Sequence, residues 1–385
     1  MGSLTRKAAI VGVADSETGS ISGHSPREVM ARVTKQALDD AGLVKEDIDG
    51  LCTAQGGMWS LLELGEYMQI NPRFFDSTSI GGASFESHVN HATAAIAAGM
   101  CETVLVCMAG TGVSDRDLHI PRSMAVDARS ATANFDTPYG LGSPANSYSL
   151  AATRHMYEYG TTSEQLAEIS VATRKWAMLN PNATMREPIT IEDVLNSPMI
   201  SSPLHLLDCC LVTNAGGAVI VTSPDRARSL KKPPVWILGC GEYFTHSNIS
   251  YMPDLTVTPA KFSGKAAFKM AGLSPDDVDV TEVYDSFTIT TLLQMEDLGF
   301  CKKGEGGSFV EGQRTAPGGA FPLNTSGGGL SYTHPGMLGI FLLIEAVRQL
   351  RGECGERQVP GAEIGVASGM GGVLSSAATV ILGRN

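Results

Sequence analysis

The segment Lys35-Gln-Ala-Leu-Asp-Asp-Ala-Gly42-Leu-Val-Lys-Glu-Asp47-Ile-Asp49 returns about 230 residues later as Lys265-Ala-Ala-Phe-Lys-Met-Ala-Gly272-Leu-Ser-Pro-Asp-Asp277-Val-Asp279. The two copies align without a gap and share a lysine, two alanines, a glycine, a leucine and two aspartates. Their separation is too long for the period of a solenoid repeat. The sequence therefore predicts a chain built from two duplicated halves.

A glycine-rich turn followed by a buried helix also occurs once in each half. Gly81-Gly-Ala-Ser84 leads into a helix of small residues, and Gly327-Gly-Gly329 leads into a strongly apolar one. Buried strands follow at 103–109 and 364–367. Right-handed crossovers then make each half a mixed or parallel sheet with helices on both faces. We predict an α/β fold that stacks the two buried helices centrally, with a site where the two glycine-rich helix starts face each other.

The boundaries of the halves are placed at residues 1–230 and 231–385. The region of about 113–212 is richer in Asn, Pro, Ser and Tyr and carries two helical patterns, at 147–159 and 162–178. We interpret it as an insertion in the first half that covers the site. Near the N-terminus, a buried strand is predicted at 8–14, and a helix from Pro26 to Ala41 that ends at Gly42.

The composition excludes several classes of function. With 385 residues, of which 43% are hydrophobic, the chain supplies a sizeable core. Its net charge of −12 argues against a surface for nucleic acid or anionic membranes, so an anionic ligand needs local or borrowed basic groups. No apolar run approaches the ~20 residues that span a bilayer. Eight cysteines without a Cys-x-x-Cys pair indicate reduced thiols and a cytoplasmic protein.

The candidate site is the stretch Asn324-Thr-Ser-Gly-Gly-Gly-Leu-Ser-Tyr332-Thr-His334-Pro-Gly-Met-Leu-Gly339. The run 336–350 is apolar on nearly every face and predicts a buried helix with Pro335 in its first turn. Glycines let the backbone approach a ligand, and a helix start presents unpaired N–H groups. This stretch alone leaves two interpretations open, a binding site or a turn whose rings merely pack.

Short motifs spread over nearly the whole chain form a joint pattern. They are Tyr159-Gly-Thr-Thr162, Pro203-Leu-His-Leu-Leu-Asp-Cys-Cys210, Glu282-Val-Tyr-Asp-Ser-Phe287, Asn324-x-Ser-Gly-Gly, His334-Pro335 and Gly369-x-Gly-Gly372. Together with the duplication, they resemble the thiolase superfamily and, within it, the sterol-carrier-protein-type thiolases. The resemblance implies a five-layered α/β/α/β/α fold, a homodimer, and chemistry at the carbon–carbon bond beside an acyl-CoA thioester.

The departures from this pattern concern the two catalytic cysteines of a thiolase. The window Ile80-Gly-Gly-Ala-Ser-Phe85 has no cysteine at the helix start where a thiolate would act. The position of the second catalytic cysteine corresponds to Ser368 or Gly369, so this cysteine is missing as well. Cys101 and Cys107 lie a whole helix away and are interpreted as small buried hydrophobes.

Tyrosines stand at two other positions of the pattern. Tyr284 occupies the place of a histidine, and Tyr332 lies two residues before His334. This arrangement resembles the thiolase-like aldolases that shorten steroid side chains. That resemblance implies cleavage of a β-hydroxyacyl-CoA into a ketone and a shorter acyl-CoA such as propionyl-CoA. It also implies a small partner protein with a zinc ribbon and an OB-fold, and no cofactor held by this chain.

A retro-aldol cleavage needs a base, stabilisation of an enolate and an acid, but no acyl-enzyme. Tyr332 beside His334 is the expected base and Tyr284 the expected acid, although these roles are interchangeable on the sequence alone. Tyrosine has an ordinary pKa near 10, so His334 and the helix dipole are expected to lower it. The enolate oxygen is expected to bind His334 and the N–H of Gly371 or Gly372. The other predicted pocket residues are Gly82, Ser84 and Asn324.

Two further functions stay open at this point. One is a thiolase or acyltransferase with an atypical nucleophile, and the other is a non-catalytic scaffold that binds acyl-CoA or sterol. His88 and His91 share a helix face with Glu86, but no fourth ligand suggests itself, so we predict no metal site there and interpret them as exposed or interface residues.

Overall fold

The computed structural model describes residues 4–18, 24–54, 60–111 and 129–384 of the chain. The strands in these ranges are β1 (Ala9–Asp15), β2 (Gly50–Cys52), β3 (Phe74–Asp76), β4 (Thr103–Gly110), β5 (Met199–Ser201), β6 (Leu204–His205), β7 (Ala215–Thr222), β8 (Val235–Phe244), β9 (Val280–Val283), β10 (Ile364–Gly371) and β11 (Ser376–Gly383). The α-helices are α1 (Pro26–Ala41), α2 (Ser60–Met68), α3 (Ser84–Ala97), α4 (Pro144–Tyr159), α5 (Ser163–Met178), α6 (Ile191–Asn196), α7 (Pro224–Ser229), α8 (Ala260–Ala271), α9 (Thr288–Leu298), α10 (Gly306–Val310) and α11 (Gly339–Arg351).

The strand order repeats between the halves. Nine strands pair in the order β3-β2-β4-β7-β1-β8-β11-β10-β9. In the first half β2 is parallel to β4, and β7 and β1 follow antiparallel. In the second half β9 is parallel to β10, and β11 and β8 follow antiparallel. The halves join through a short antiparallel contact between β1 and β8. The predicted duplication is therefore confirmed.

The helices complete five layers. α3 and α11 pack on each other and contact strands of both halves, so they form the central layer. α1 covers the outer face of β1, β4 and β7, whereas α8 covers that of β8, β10 and β11. The predicted α/β/α/β/α architecture is confirmed. The division near residue 230 stays a prediction.

The repeated aspartates do the same work in both halves. The Asp49 carboxylate accepts a hydrogen bond of 2.8 Å from the backbone N–H of Thr103, at the start of β4. The Asp279 carboxylate accepts one of 2.9 Å from the N–H of Ile364, at the start of β10. Each aspartate therefore ties the end of one repeat segment to the strand that follows the central helix.

The repeated glycines end their helices in the predicted way. Gly42 and Gly272 close α1 and α8 in the left-handed conformation, with φ of 72° and 69°. The start of α1 is fixed by Ser25, whose hydroxyl accepts from the N–H of Glu28, and by Pro26 at the first position.

Most predicted elements are found within a few residues of their expected ends, including α4 and α5 of the insertion. The central helix α11 is an exception, because it begins at Gly339 rather than Gly336. Gly336 has a φ of 94°, a left-handed conformation that interrupts the helix, so Pro335 does not lie in its first turn. Within the described ranges, no helix has the length and apolar character needed to cross a membrane.

Candidate active site

A hydrogen bond between Tyr284 and His334 marks the centre of the candidate site. The Tyr284 hydroxyl lies 2.8 Å from Nε2 of His334, and the two rings meet edge to face with centroids 5.7 Å apart. Tyr284 follows the end of β9, and His334 lies in the loop before α11. The fold thus joins two of the three side chains predicted to be catalytic.

A buried carboxylate fixes the loop that carries His334. Asp285, the residue after Tyr284, accepts hydrogen bonds of 2.6 and 3.2 Å from the backbone N–H groups of Gly329 and Leu330. The segment that presents the phenol therefore also anchors the opposing glycine-rich loop.

Glycines let the two central helix starts and the tyrosine approach one another. A Cβ atom on Gly82 would lie 2.1 Å from the Tyr284 ring and 2.6 Å from the carbonyl oxygen of Met370. A Cβ atom on Gly339, the first residue of α11, would lie 2.3 Å from the carbonyl oxygen of Gly82. The starts of the two central helices are therefore in contact, whereas the predicted Gly327–Gly329 turn packs on Ala177 and Asp285.

A cavity of about 550 Å³ opens on the Tyr284–His334 pair. It is bounded by the helix start at Gly82, the β10–β11 turn at Gly372 and residues of the insertion. Its apolar walls include Ala145, Ile200, Leu206, Leu211, Val212, Phe287, Met337 and Met370. Residues 143–148 and 200–212 of the predicted insertion thus line the cavity, and its mainly apolar lining suits a hydrophobic ligand.

Burial keeps both members of the pair uncharged. It lowers the pKa of His334 to about 4 and raises the pKa of Tyr284 well above its usual value. The expectation that neighbours lower the phenol's pKa is therefore wrong for Tyr284, because burial of the ring has the largest effect and raises the pKa. Near pH 7 the site holds a neutral phenol hydrogen-bonded to a neutral imidazole.

Tyr332 is buried but points away from the cavity. Its hydroxyl donates to the carboxylate of Asp15, and its ring meets Phe341 edge to face with centroids 6.0 Å apart. Tyr332 ends a π-helical turn and Thr333 is extended, and the side chain of Tyr332 contacts Asp15 and Phe341 whereas that of His334 contacts Tyr284. The structure does not place Tyr332 where the predicted base would meet a substrate.

Two other predicted pocket residues are occupied within the protein. The Ser84 hydroxyl donates to the carbonyl oxygen of Gly81 at 2.6 Å and accepts from the N–H of Ile80 at 2.9 Å. Oδ1 of Asn324 accepts from the N–H of Val283 at 2.8 Å. Neither residue lines the cavity, because each side chain satisfies neighbouring backbone groups.

Of the three glycines predicted for the site, two line the cavity and one does not. Gly82 and Gly372 line the cavity, and Gly372 has a φ of 60°. Gly371 does not line it, because its Cα packs against the carbonyl oxygen of Ile80, 1.7 Å from where a Cβ atom would lie. Gly372 is therefore the better placed of the two proposed N–H donors.

Some residues of the cavity were not predicted as site residues. Tyr148, Cys209 and Cys210 all line the cavity. Burial raises the pKa of Cys209 to about 12 and also raises that of Cys210, so both remain thiols. Cys101 and Cys107 are buried in the core, as predicted. Tyr148 lies in an ordinary helical pattern, and only its place in the insertion hints at the site.

The helix face of Glu86, His88 and His91 is not an exposed surface. Glu86 and His88 are fully buried, which corrects the expectation of exposed or interface residues. His91 pairs with Asp76 at 2.5 Å and with Glu242 at 3.0 Å. In the described part of the chain, no group of three or more His, Cys, Asp or Glu residues could hold a metal ion.

Comparison with curated proteins finds relatives along almost the entire chain. It is 37% identical to the steroid side-chain-cleaving aldolase of Thermomonospora curvata, over 91% of this chain and 92% of that protein. It is 38% identical to the 17-hydroxy-3-oxo-4-pregnene-20-carboxyl-CoA lyase of Mycobacterium tuberculosis, over the same shares. An acetyl-CoA acetyltransferase of Methanothermobacter thermautotrophicus is 35% identical, over 98% of this chain and 100% of that protein.

Family and structure comparisons agree with these relatives. Residues 241–384 match the model described as "Thiolase C-terminal domain-like". A solved structure described as "Ltp2-ChsH2(DUF35) aldolase" is 33% identical, with a TM-score of 0.89 over 99% of this chain and 98% of that one. The chain belongs to the thiolase-like family that includes the steroid side-chain-cleaving aldolase of T. curvata.

Proposed function

We propose that this protein is a retro-aldolase that cleaves a β-hydroxyacyl-CoA with a tertiary hydroxyl, such as a 17-hydroxysteroid side chain, into a ketone and a shorter acyl-CoA. The observation that carries the proposal is the Tyr284–His334 hydrogen bond in an apolar cavity, at a helix start that has no cysteine. The names of two relatives at 37% and 38% identity support the same reaction.

The first step removes the proton of the substrate's β-hydroxyl. A neutral phenol is a poor base, but Tyr284 can accept this proton as it passes its own to Nε2 of His334. With its pKa lowered to about 4, His334 is uncharged at neutral pH, so its ring can take the proton transiently and gives it back readily. The pair thus acts as a relay, with Tyr284 touching the substrate and His334 holding the proton.

The enolate needs donors that are already in place before the bond breaks. Gly372 lines the cavity in a left-handed turn next to Gly81, and we assign its N–H to the thioester oxygen. Asp285 supports the site from behind by holding the His334 loop. No step needs an acyl-enzyme, and none needs a cofactor held by this chain.

The substrate's acyl part is assigned to the apolar cavity, which we expect to hold part of a ring system against residues such as Phe287 and Ile200. The phosphates of CoA need positive charge, and the net charge of this chain is −12. We therefore propose that a homodimer of this chain works with a small zinc-ribbon and OB-fold partner that helps to bind CoA. The solved relative whose description names two components supports such an assembly.

The test is to incubate the chain, with and without the candidate partner, with 17-hydroxy-3-oxo-4-pregnene-20-carboxyl-CoA and to measure the ketone and propionyl-CoA by mass spectrometry. Release of both products supports the proposal. No ketone under either condition contradicts it.

The acyltransferase hypothesis has two observations in its favour: Cys209 and Cys210 line the cavity, and a relative is named acetyl-CoA acetyltransferase. Acyl transfer needs a thiolate, whereas burial raises both cysteine pKa values. Mass spectrometry of the protein after incubation with a 3-ketoacyl-CoA distinguishes the acyltransferase hypothesis from the aldolase hypothesis. An acyl adduct on Cys209 or Cys210 supports acyl transfer, and its absence together with ketone release supports the aldolase. Tight acyl-CoA binding without turnover would instead indicate a scaffold.

A further inference from the structure

Tyr148 is a second phenol in the cavity of Tyr284. It comes from α4 in the insertion, lines the cavity and is only 3% exposed. Its ring packs on Phe287 with centroids 4.5 Å apart, and its hydroxyl donates to the carbonyl oxygen of Gly372 at 3.2 Å. The hydroxyl is thus held beside the turn whose N–H we assign to the enolate.

The packing of Tyr148 does not account for its hydroxyl. Phenylalanine would make the same contact with Phe287, and the bond to Gly372 is at the long end of the range for O–H donors. Burial raises the pKa of Tyr148 to about 12, so the phenol keeps its proton until a stronger base is formed in the cavity. An enolate carbon is such a base.

We infer that Tyr148 is a further catalytic residue, the acid that returns a proton to the α-carbon of the enolate. This inference rests on the proposed retro-aldol reaction. It gives the second phenol of the mechanism to the insertion rather than to Tyr332, whose hydroxyl is bound to Asp15 outside the cavity. Tyr284 and Tyr148 then serve opposite ends of the bond that breaks.

The atoms and electrons balance over one turnover. The β-hydroxyl proton moves to Tyr284 while the phenol proton of Tyr284 moves to His334. The oxygen lone pair forms the ketone carbonyl, and the electron pair of the α–β carbon bond moves into the thioester as an enolate. The enolate pair then takes the proton of Tyr148, and the phenolate left behind regains a proton from His334 through Tyr284. No proton is gained or lost overall.

The experiment compares Tyr148→Phe with Tyr157→Phe in the complete assembly. Tyr157 lies on the same helix but is 82% exposed, so its variant controls for a tyrosine change in α4. Each protein cleaves 17-hydroxy-3-oxo-4-pregnene-20-carboxyl-CoA in D₂O, and NMR of the propionyl group, after its conversion to an ester of a chiral alcohol, reports the amount and the configuration of deuterium at the α-carbon. Wild type and Tyr157→Phe are expected to place one deuterium in a single configuration.

Tyr148→Phe is expected to lower kcat about 100-fold or more and to place the deuterium in both configurations, because water then protonates the free enolate. Configuration is a property of each product molecule, so it does not depend on how much of the variant folds. If Tyr148→Phe still gives a single configuration, whatever its turnover rate, the inference is overturned. A wild-type assembly that releases no ketone overturns the proposed function, and the inference with it.

Discussion

Tyr332 and Asp15, which lie 317 residues apart in sequence, share a buried hydrogen bond, and neither residue lines the cavity. The second oxygen of the Asp15 carboxylate accepts from Arg348 of α11 at 2.5 Å. Burial raises the pKa of Asp15, but the opposing effects of Arg348 and Tyr332 leave it below its usual value. The phenol therefore helps to stabilise a buried carboxylate that joins β1 to the central helix, and Arg348 supplies the opposite charge.

We expect Tyr332→Phe to weaken the fold rather than the reaction. Loss of a buried hydrogen bond to a charged group costs about 1.5–3 kcal/mol, and the phenyl ring still packs on Phe341. Urea unfolding should report this loss, while kcat of the folded fraction stays within about threefold of wild type. Tyr67→Phe, a change at a half-exposed tyrosine, is the control. A large fall in kcat with unchanged stability would return Tyr332 to the reaction.

Tyr284→Phe should separate chemistry from binding. It keeps the ring against Gly82 but removes the group that links the substrate to His334, so we expect kcat to fall by about 100-fold or more. Substrate binding, measured by calorimetry, should change little because the apolar wall stays intact. Circular dichroism checks the fold. Turnover near the wild-type value would remove the Tyr284–His334 relay from the mechanism.

The contact between Gly82 and Tyr284 gives a steric test of the same geometry. A methyl group at Gly82 has no room beside the Tyr284 ring, so Gly82→Ala should displace the phenol and lower kcat at least about tenfold. Gly142→Ala is the matched control, because a Cβ atom there meets no atom within 4 Å and the residue adjoins the cavity-lining Ser143. Equal turnover of the two variants would mean that the position of Tyr284 is not critical.

The fold was predictable because the duplicated residues repeat their roles as well as their identity. Asp49 and Asp279 each hydrogen-bond to the start of the strand that follows a central helix, and Gly42 and Gly272 each end an outer helix. Residues with such local roles occur at the same spacing in both halves of the sequence. The repeated spacing was enough to predict two stacked halves.

The site was less predictable because its geometry depends on contacts between distant segments. Spacing brings Tyr332 close to His334 in sequence, but the π-helical turn and the buried Asp15 direct its ring elsewhere. Tyr148 enters from the insertion, and no local motif marks it. The direction and burial of a side chain are tertiary properties, which explains why Tyr332 was assigned to the site from its place in the sequence and why Tyr148 was not assigned to it.

Glu86 is a buried acid that the sequence did not distinguish from a surface residue. Its carboxyl group is wedged between two backbone segments, since a Cβ atom on Gly339 or on Gly369 would lie 2.4 Å from Oε2. Neither carboxyl oxygen has a hydrogen-bond partner among the described residues. Burial raises its pKa to about 8, so the folded protein holds it protonated at neutral pH.

The raised pKa of Glu86 predicts how stability depends on pH. Below its ordinary pKa of 4.5, folded and unfolded chains both carry the proton, and ionisation of the residue does not affect the free energy of unfolding. Between pH 4.5 and 8 only the unfolded chain ionises, so the free energy of unfolding falls by as much as about 1.4 kcal/mol per pH unit. Glu86→Gln removes this dependence because the amide never ionises and nearly matches the protonated acid in shape.

Urea unfolding should therefore give similar stabilities for wild type and Glu86→Gln at pH 4.5, and a variant more stable by at least about 1 kcal/mol at pH 8. Glu66→Gln, at an exposed position of α2, should show no such pH-dependent difference. A Glu86→Gln chain that tracks wild type across this range would mean that the carboxyl group is ionised in the folded protein, and hence that a partner or solvent reaches the space between the two central helices.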